Sequence, residues 1–150
     1  ADNTPSAAVS LVDVTTDQGI SLKLPSDMAL MENGSYVSSD KTEVCSFSVT
    51  PADGTPISSL TEETLIAGYQ AKYENVASES FQNDATINGK DAAIIQVSLT
   101  TPAGADVIMT QVFVTDNTNY YVVNFMYPAT GPDGALVQNL QACLESITIQ

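Results

Sequence analysis

The chain has 150 residues, a length that suits one folded domain, and 18 Asp and Glu outweigh four Lys to give a net charge of −14. Proteins bind nucleic acid through Lys and Arg that neutralise phosphates, so this composition excludes nucleic acid as a partner, and an anionic bilayer surface with it. The sequence contains no His, which rules out Ser-His-Asp triads, Cys-His nucleophile pairs and imidazole zinc sites.

Alternating apolar and polar residues predict strands in the first third of the chain. The first two are expected at residues 9–14 and 20–24, the second ending at Pro25. Asn33-Gly34 is a hairpin-turn sequence between extended segments at 28–32 and 35–39. A further strand at 43–50 places Cys45, Phe47 and Val49 on one face, which predicts that this face lies on the core.

A helix is predicted after the Pro- and Gly-rich loop at 51–59. Two caps fit the sequence: Ser59 with Glu62 at capping-box spacing, or Thr61. The helix should run through Glu74 and pack one apolar stripe on the sheet, formed by Leu65, Ile66, Tyr69 and Tyr73.

The second half of the chain predicts the centre of the sheet. Strands at 76–83, 92–100, 107–115 and 120–127 are long and apolar, as is typical of strands covered on both faces, and a turn is expected at Asn88-Gly89. The loop 131–134 then starts a second helix, and a short strand at 146–149 ends the chain. That helix carries an apolar stripe of Leu136, Val137, Leu140, Cys143 and Leu144.

This order of elements resembles the PsbP-like domains, which share their fold with a nuclear-import factor that binds the small GTPase Ran. The resemblance covers nearly the whole chain and rests on ISLKLPSDM, on EVCSFSVTP followed by SLTEETLIAGYQAKY, on the strands AAIIQVSLTT, DVIMTQVFVT and NYYVVNFMYP, and on LQACLESITI. It implies an α+β fold in which an antiparallel sheet of about six or more strands is sandwiched by helices. The resemblance assigns no functional residue in this chain, neither one that serves the oxygen-evolving complex nor one that binds Ran.

The resemblance also implies an exported, often lipid-anchored bacterial protein. Residues 1–8, small and polar with no initial Met, are interpreted as a flexible leader left after processing, and residues 9–150 as a single PsbP-like domain. The sequence contains no transmembrane run. We therefore expect a cell-surface or extracellular location, and a lipid anchor upstream of Ala1 would fit this expectation.

The two cysteines, Cys45 and Cys143, each fall on a core-facing position. In an exported protein they would form a disulfide; the alternative is two separate buried thiols. Their spacing fits neither a CxxC motif nor a zinc knuckle. Asp116, Asn117 and Asn119 suggest a cation site, but their types and spacing are more typical of a turn.

The sequence therefore favours a non-catalytic binding or interaction domain, acting through a surface patch or a groove between helix and sheet. Its partner would be an unidentified protein or small molecule, and we assign no catalytic residue, cofactor or metal. The alternatives are a hydrolase that uses paired carboxylates and a domain that binds a small molecule or carbohydrate on aromatic side chains. The aromatic residues concentrated in neighbouring strands are Phe113, Tyr120, Tyr121, Phe125 and Tyr127.

Overall fold

A computed structural model describes residues 11–17, 19–32, 34–38, 43–54, 56–116, 118–129, 136 and 139–149. The predicted leader, Asn33, Asn117, Val137 and the loop 131–134 lie outside these residues. The described elements, in chain order, are β1 (Leu11–Thr15), β2 (Ile20–Pro25), β3 (Ala29–Leu30), β4 (Tyr36–Val37), β5 (Val44–Pro51), a 3-10 turn (Ile57–Ser59), α1 (Glu62–Gln70), β6 (Glu74–Ile87), β7 (Lys90–Thr100), β8 (Asp106–Thr115), β9 (Asn119–Pro128), α2 (Leu140–Glu145) and β10 (Thr148–Ile149).

The strands form two antiparallel sheets. The larger has seven strands in the order β3-β4-β5-β9-β8-β7-β6, and the smaller has three in the order β1-β2-β10. Strands β7, β8 and β9 pair over nearly their whole lengths, as expected for the apolar centre of the sheet.

Each face of the seven-stranded sheet carries its own core. On one face the 3-10 turn and α1 cover Ala93, Ile95, Val97 and Met109. On the other face the three-stranded sheet and α2 cover a second set of fully buried side chains, which includes Cys45, Val112, Val123 and Phe125. The predicted α+β architecture, a many-stranded antiparallel sheet between outer layers, is confirmed.

One outer layer differs from the prediction of helices on both faces. The short terminal strand β10 pairs with β2, where Thr148 lies opposite Ser21, and so helps to form a small sheet in this layer. The buried side of β2, formed by Ile20, Leu22 and Leu24, supplies most of the apolar surface of that layer. Local periodicity does not reveal a pairing between residues so far apart in the chain.

Several local predictions can be compared directly with the structure. Strand β3 pairs with β4, which confirms the first hairpin, and Asn88 and Gly89 have φ of 50° and 83°, as the second turn requires. Thr61, and not Ser59, is the helix cap, because its side chain accepts a 3.3 Å hydrogen bond from the Thr64 N–H. The predicted end of the helix at Glu74 is wrong, because Glu74 already pairs in the sheet.

Candidate functional site

A groove of about 290 Å³ lies between α1 and the seven-stranded sheet, and we call it the helix–sheet groove. Its floor consists of Met109 and Gln111 from β8 and Asn124 from β9. Its wall consists of residues from α1 and the turn after it: Thr64, Leu65, Gly68, Tyr69, Lys72 and Tyr73. Thr64 and Gly68, four residues apart, lie on one side of α1, and Lys72 follows in the turn after the helix.

Strand pairing places the polar floor residues side by side. Asn124 lies opposite Gln111 on one neighbouring strand and opposite Ser46 on the other. Residues opposite each other in an antiparallel pair point to the same face, so the three polar side chains form one row across the sheet. Ser48, two residues along β5 on that face, is exposed, and the row therefore opens towards solvent beyond α1.

Tyr69 ties the helix to the floor. Its hydroxyl donates a hydrogen bond to Oε1 of Gln111, and its side chain is buried. Burial raises the pKa of Tyr69 well above its ordinary value, and the neighbouring Tyr73 raises it further. Tyr69 therefore stays a neutral donor at physiological pH and fixes the position of the Gln111 amide in the groove.

Asn124 is the polar residue of the floor whose hydrogen bonding is incomplete. Its Nδ2 donates a long hydrogen bond, 3.4 Å, to Oγ of Ser46. Its Oδ1 is buried and has no hydrogen-bond partner in the part of the chain that the structure describes. Because buried polar atoms in proteins are nearly always paired, this oxygen is an unmet acceptor, which a donor from outside the chain would reach once the Asn124 side chain turns towards the groove.

A polar row on the opposite face of the sheet provides a comparison. There the Nε2 of Gln96 donates both to Oγ1 of Thr110, at 3.2 Å, and to the hydroxyl of Tyr127, at 2.9 Å. Both rows place amide side chains in central strands, but the Gln96 row finds partners within the protein. The incomplete bonding of Asn124 is therefore specific to the face that carries the groove.

The charge of the groove also differs from that of the molecule. No carboxylate lines it, although the chain carries 18 Asp and Glu, and Lys72 supplies a positive charge. Lys23 forms a 3.2 Å ion pair with Asp13, whereas Lys72 forms no ion pair with any described residue. The groove therefore carries a local positive charge on a molecule whose net charge is negative.

Cys45 and Cys143, the residues singled out by the sequence, lie together on the other side of the sheet. Both are fully buried in the core between the sheet and α2, Cys45 on β5 and Cys143 on α2, as the sequence predicted, and both are free thiols in this structure. Burial raises the pKa of Cys45, and the nearby Cys143 adds to this. Burial, followed by the effect of Glu43, raises the pKa of Cys143 to about 11. The disulfide between them stays a prediction.

The other candidate residues do not form the groove. Phe113, Tyr121, Phe125 and Tyr127 are buried in the cores, so the aromatic platform considered for carbohydrate is not assembled. The aromatic side chains that do line the groove are those of Tyr69 and Tyr73.

Asp116 is engaged in a turn. Its Oδ1 accepts hydrogen bonds of 2.9 Å from the backbone N–H groups of Thr118 and Asn119, and the Tyr121 hydroxyl donates to its Oδ2. The Asn119 N–H, followed by the Thr118 N–H, lowers the pKa of this carboxyl. Within the described ranges no three His, Cys, Asp or Glu side chains are grouped so that they could hold a metal ion.

Two other pockets are each lined by a pair of carboxylates. Asp84 and Asp91 line one, and Asp17 and Glu32 line the other. All four side chains are exposed to water, unlike the general acid of a glycosidase, which a hydrophobic pocket surrounds. These pairs give the hydrolase alternative little support.

Gln111 and Asn124 are functional candidates that the sequence interpretation missed. The available signal was one amide residue in each of two otherwise apolar central strands, VIMTQVFVT and YYVVNFMY. A polar side chain in a buried strand needs a hydrogen-bond partner, so such positions are candidates for functional residues.

Comparison with known proteins supports the fold assignment. No protein-family model matches the chain, and neither does any curated protein. The three-layer arrangement is nevertheless a PsbP-like fold, as two solved structures show. In the described helices, no segment is both long and apolar enough to pass through a lipid bilayer.

The first of these structures is the solution structure of cyanobacterial PsbP (CyanoP) from Synechocystis sp. PCC 6803. The two structures superpose with a TM-score of 0.64 at 9% sequence identity. The alignment covers 100% of this chain and 98% of the cyanobacterial chain. The second is the crystal structure of LpqN, involved in cell envelope biogenesis of Mycobacterium tuberculosis. Its TM-score is 0.59 at 15% identity, with 95% of this chain and 92% of its own covered.

Proposed function

We propose that the protein is a non-catalytic binding domain of a bacterial cell envelope and that the helix–sheet groove holds its ligand. The observation that carries the proposal is the buried, unpartnered Oδ1 of Asn124 on the groove floor. Leaving such an atom unpaired costs the folded protein about 1–3 kcal/mol. A ligand that donates a hydrogen bond to this oxygen removes that cost, and its binding free energy becomes more favourable.

The groove chemistry indicates the class of ligand. Asn124 needs a hydrogen-bond donor, and Lys72 favours an acceptor or a negative charge. A hydroxyl group meets both needs because it donates and accepts. A groove of about 290 Å³, near the lower limit for ligand pockets, suits a small molecule such as a single sugar ring, whose apolar face could lie against Tyr73. The ligand is therefore a small, neutral or anionic molecule with several hydroxyl groups.

The envelope location is supported by the fold. The chain shares its fold with LpqN, a protein involved in cell envelope biogenesis. Fractionation of cells that express the complete gene tests this location. We expect the protein in the envelope or the medium, and a purely cytoplasmic product would contradict the proposal.

Binding can be tested by NMR titration with three hydroxylated, glucose-derived probes that differ in charge. N-acetylglucosamine is neutral, gluconate is anionic and glucosamine is cationic. The first two should shift the amide signals of Gly68, Gln111 and Asn124, and glucosamine should have a much weaker effect because Lys72 repels it. If neither N-acetylglucosamine nor gluconate shifts these signals, the proposed ligand class is wrong.

Substitution of Gly68 separates groove binding from general surface effects. A Cβ atom at Gly68 would meet no atom within 4 Å, so Gly68→Leu should fold normally while its side chain fills the groove. Ala67, the adjacent exposed residue of α1, does not line the groove, and Ala67→Leu is the matched control. Gly68→Leu should abolish the shifts and Ala67→Leu should preserve them. Equal effects of the two variants would place the site elsewhere.

A further inference from the structure

A second surface of the molecule exposes apolar side chains. Among the described residues, the large hydrophobic side chains left exposed are Val12 (43%), Leu30 (61%) and Met31 (40%). Leu30 and Met31 are consecutive and lie at the tip of the β3–β4 hairpin, at one edge of the seven-stranded sheet. Contiguous exposed apolar surface marks interaction sites in many proteins.

Backbone hydrogen bonds connect the described residues of this turn. The N–H of Met31 donates a 2.8 Å hydrogen bond to the carbonyl of Ser35, and the N–H of Gly34 donates a 3.0 Å bond to the carbonyl of Met31. Gly34 has a φ of 87°, a conformation that glycine adopts without strain.

The hairpin lines one side of a cleft of about 340 Å³, which we call the hairpin cleft. Leu30, Met31, Glu32 and Tyr36 line this side, and Thr16 and Asp17, from the turn between β1 and β2, line the other. Both carboxylates, Asp17 and Glu32, are exposed, and no Lys lines the cleft. An apolar anchor therefore lies beside two negative charges on a molecule of net charge −14.

We propose that the hairpin cleft is a docking surface for a protein segment in which an apolar side chain is flanked by Lys or Arg. The apolar side chain would pack on Leu30 and Met31, and the flanking cations would lie beside Asp17 and Glu32. Met31 adds an adaptable surface, because its thioether side chain fits anchors of different shape. The negative field of the whole molecule would speed the approach of such a partner and repel a second copy of this chain.

This surface is separate from the helix–sheet groove, with which it shares no lining residue. The two proposals can therefore fail independently. The test for the hairpin cleft uses peptides, and the test for the groove uses small hydroxylated molecules.

The test is an NMR titration with capped peptides of defined chemistry. Lys-Leu-Lys-Leu-Lys presents apolar anchors between cations, Lys-Ser-Lys-Ser-Lys keeps only the charge, and Glu-Leu-Glu-Leu-Glu keeps only the anchors. The first peptide should bind most tightly and shift signals of residues 15–17 and 30–36. Equal binding of the serine peptide, equal binding of the glutamate peptide, shifts spread over the acidic surface, or no shift at all would each overturn the proposal.

Two pairs of variants test the two components of the surface. Leu30→Ser should weaken binding of Lys-Leu-Lys-Leu-Lys about tenfold, whereas Val12→Ser, at an exposed hydrophobic residue outside the cleft, should leave it unchanged. Glu32→Gln should weaken binding at low salt, whereas Glu79→Gln, on the exposed strand β6, should not. All four positions are exposed, so the variants should keep the melting temperature of the parent. Equal losses within either pair would contradict the proposed surface.

Discussion

The side-chain amide of Asn88 donates a 2.7 Å hydrogen bond to the backbone carbonyl of Ile147, which joins the β6–β7 turn to the chain just before β10. A second bond from the same Nδ2, 3.0 Å long, reaches the carbonyl of Glu145, the last residue of α2. Carbonyls at the end of a helix lack partners within the helix, so Asn88 supplies bonds that α2 cannot make for itself.

Replacement of Asn88 should therefore destabilise the fold from a position that looks like an ordinary turn. Asn88→Gly tolerates the positive φ but loses both hydrogen bonds, and we expect the free energy of unfolding in urea to fall by about 1–3 kcal/mol. Asn75 is the matched control, since it also has a positive φ but donates to the exposed Oγ1 of Thr100. A loss for Asn75→Gly as large as that for Asn88→Gly would contradict this role.

The core cysteines provide a redox prediction. If Cys45 and Cys143 are bonded in the native protein, the bridge closes a loop of roughly 100 residues, worth about 4.7 kcal/mol in the chain-entropy model. Reduction should then lower the melting temperature, and the double variant Cys45→Ser, Cys143→Ser should be insensitive to reductant. The direct measurement is thiol titration of the unreduced protein after denaturation. Two reactive thiols would show that the bridge is absent and that both residues are core thiols.

The reduced protein should lose stability at high pH. Burial raises the pKa of Cys143 from its ordinary value of 9.0 to about 11, so the folded state favours the protonated thiol. The resulting stability is complete below pH 9.0 and is lost as the pH rises towards about 11, by at most about 1.4 kcal/mol for each pH unit for each thiol. Urea unfolding in reductant at about pH 8 and about pH 10 measures it. Cys143→Ala should reduce this dependence to the part that Cys45 contributes, and an unchanged slope would contradict it.

Much of the seven-stranded sheet follows from local sequence. The strands β7, β8 and β9 are long enough to be recognised by β-branched and aromatic content alone, and Asn88-Gly89 specifies its turn because both residues tolerate a positive φ. The helix cap was ambiguous, since Ser59 and Thr61 both satisfied the rules. The structure uses Thr61, whereas Ser59 donates its hydroxyl to the carbonyl of Pro56.

The small sheet and the groove could not be derived in this way. Pairing between β2 and β10 depends on how the chain ends come together, which no local pattern encodes. Gln111 and Asn124 become a site because the register places them opposite each other on the face of the sheet that α1 covers. A one-residue change of register would turn either residue to the other face. The sequence therefore predicted a groove between the helix layer and the sheet, but it did not predict which residues line that groove.

The unpartnered oxygen of Asn124 leads to a prediction about the balance between stability and binding. Leu has nearly the shape of Asn but carries no polar atom, so Asn124→Leu removes a buried acceptor that lacks a donor. We expect the free energy of unfolding to rise by about 1 kcal/mol, because the variant avoids the cost of that unpaired oxygen. The same variant should lose the NMR shifts produced by N-acetylglucosamine or gluconate. A gain in stability with a loss of binding is the pattern expected of a residue kept for function.

Gln96→Leu is the matched control for this prediction. Gln96 also carries an amide in a central strand, but its Nε2 already has two partners, Thr110 and Tyr127. Substitution by Leu leaves those partners without their bonds, so the free energy of unfolding should fall by about 1–3 kcal/mol, while groove binding persists. Urea unfolding of both variants measures the contrast. A loss of stability for Asn124→Leu similar to that for Gln96→Leu would show that Asn124 is satisfied within the protein, and the groove would lose the atom on which its proposed function depends.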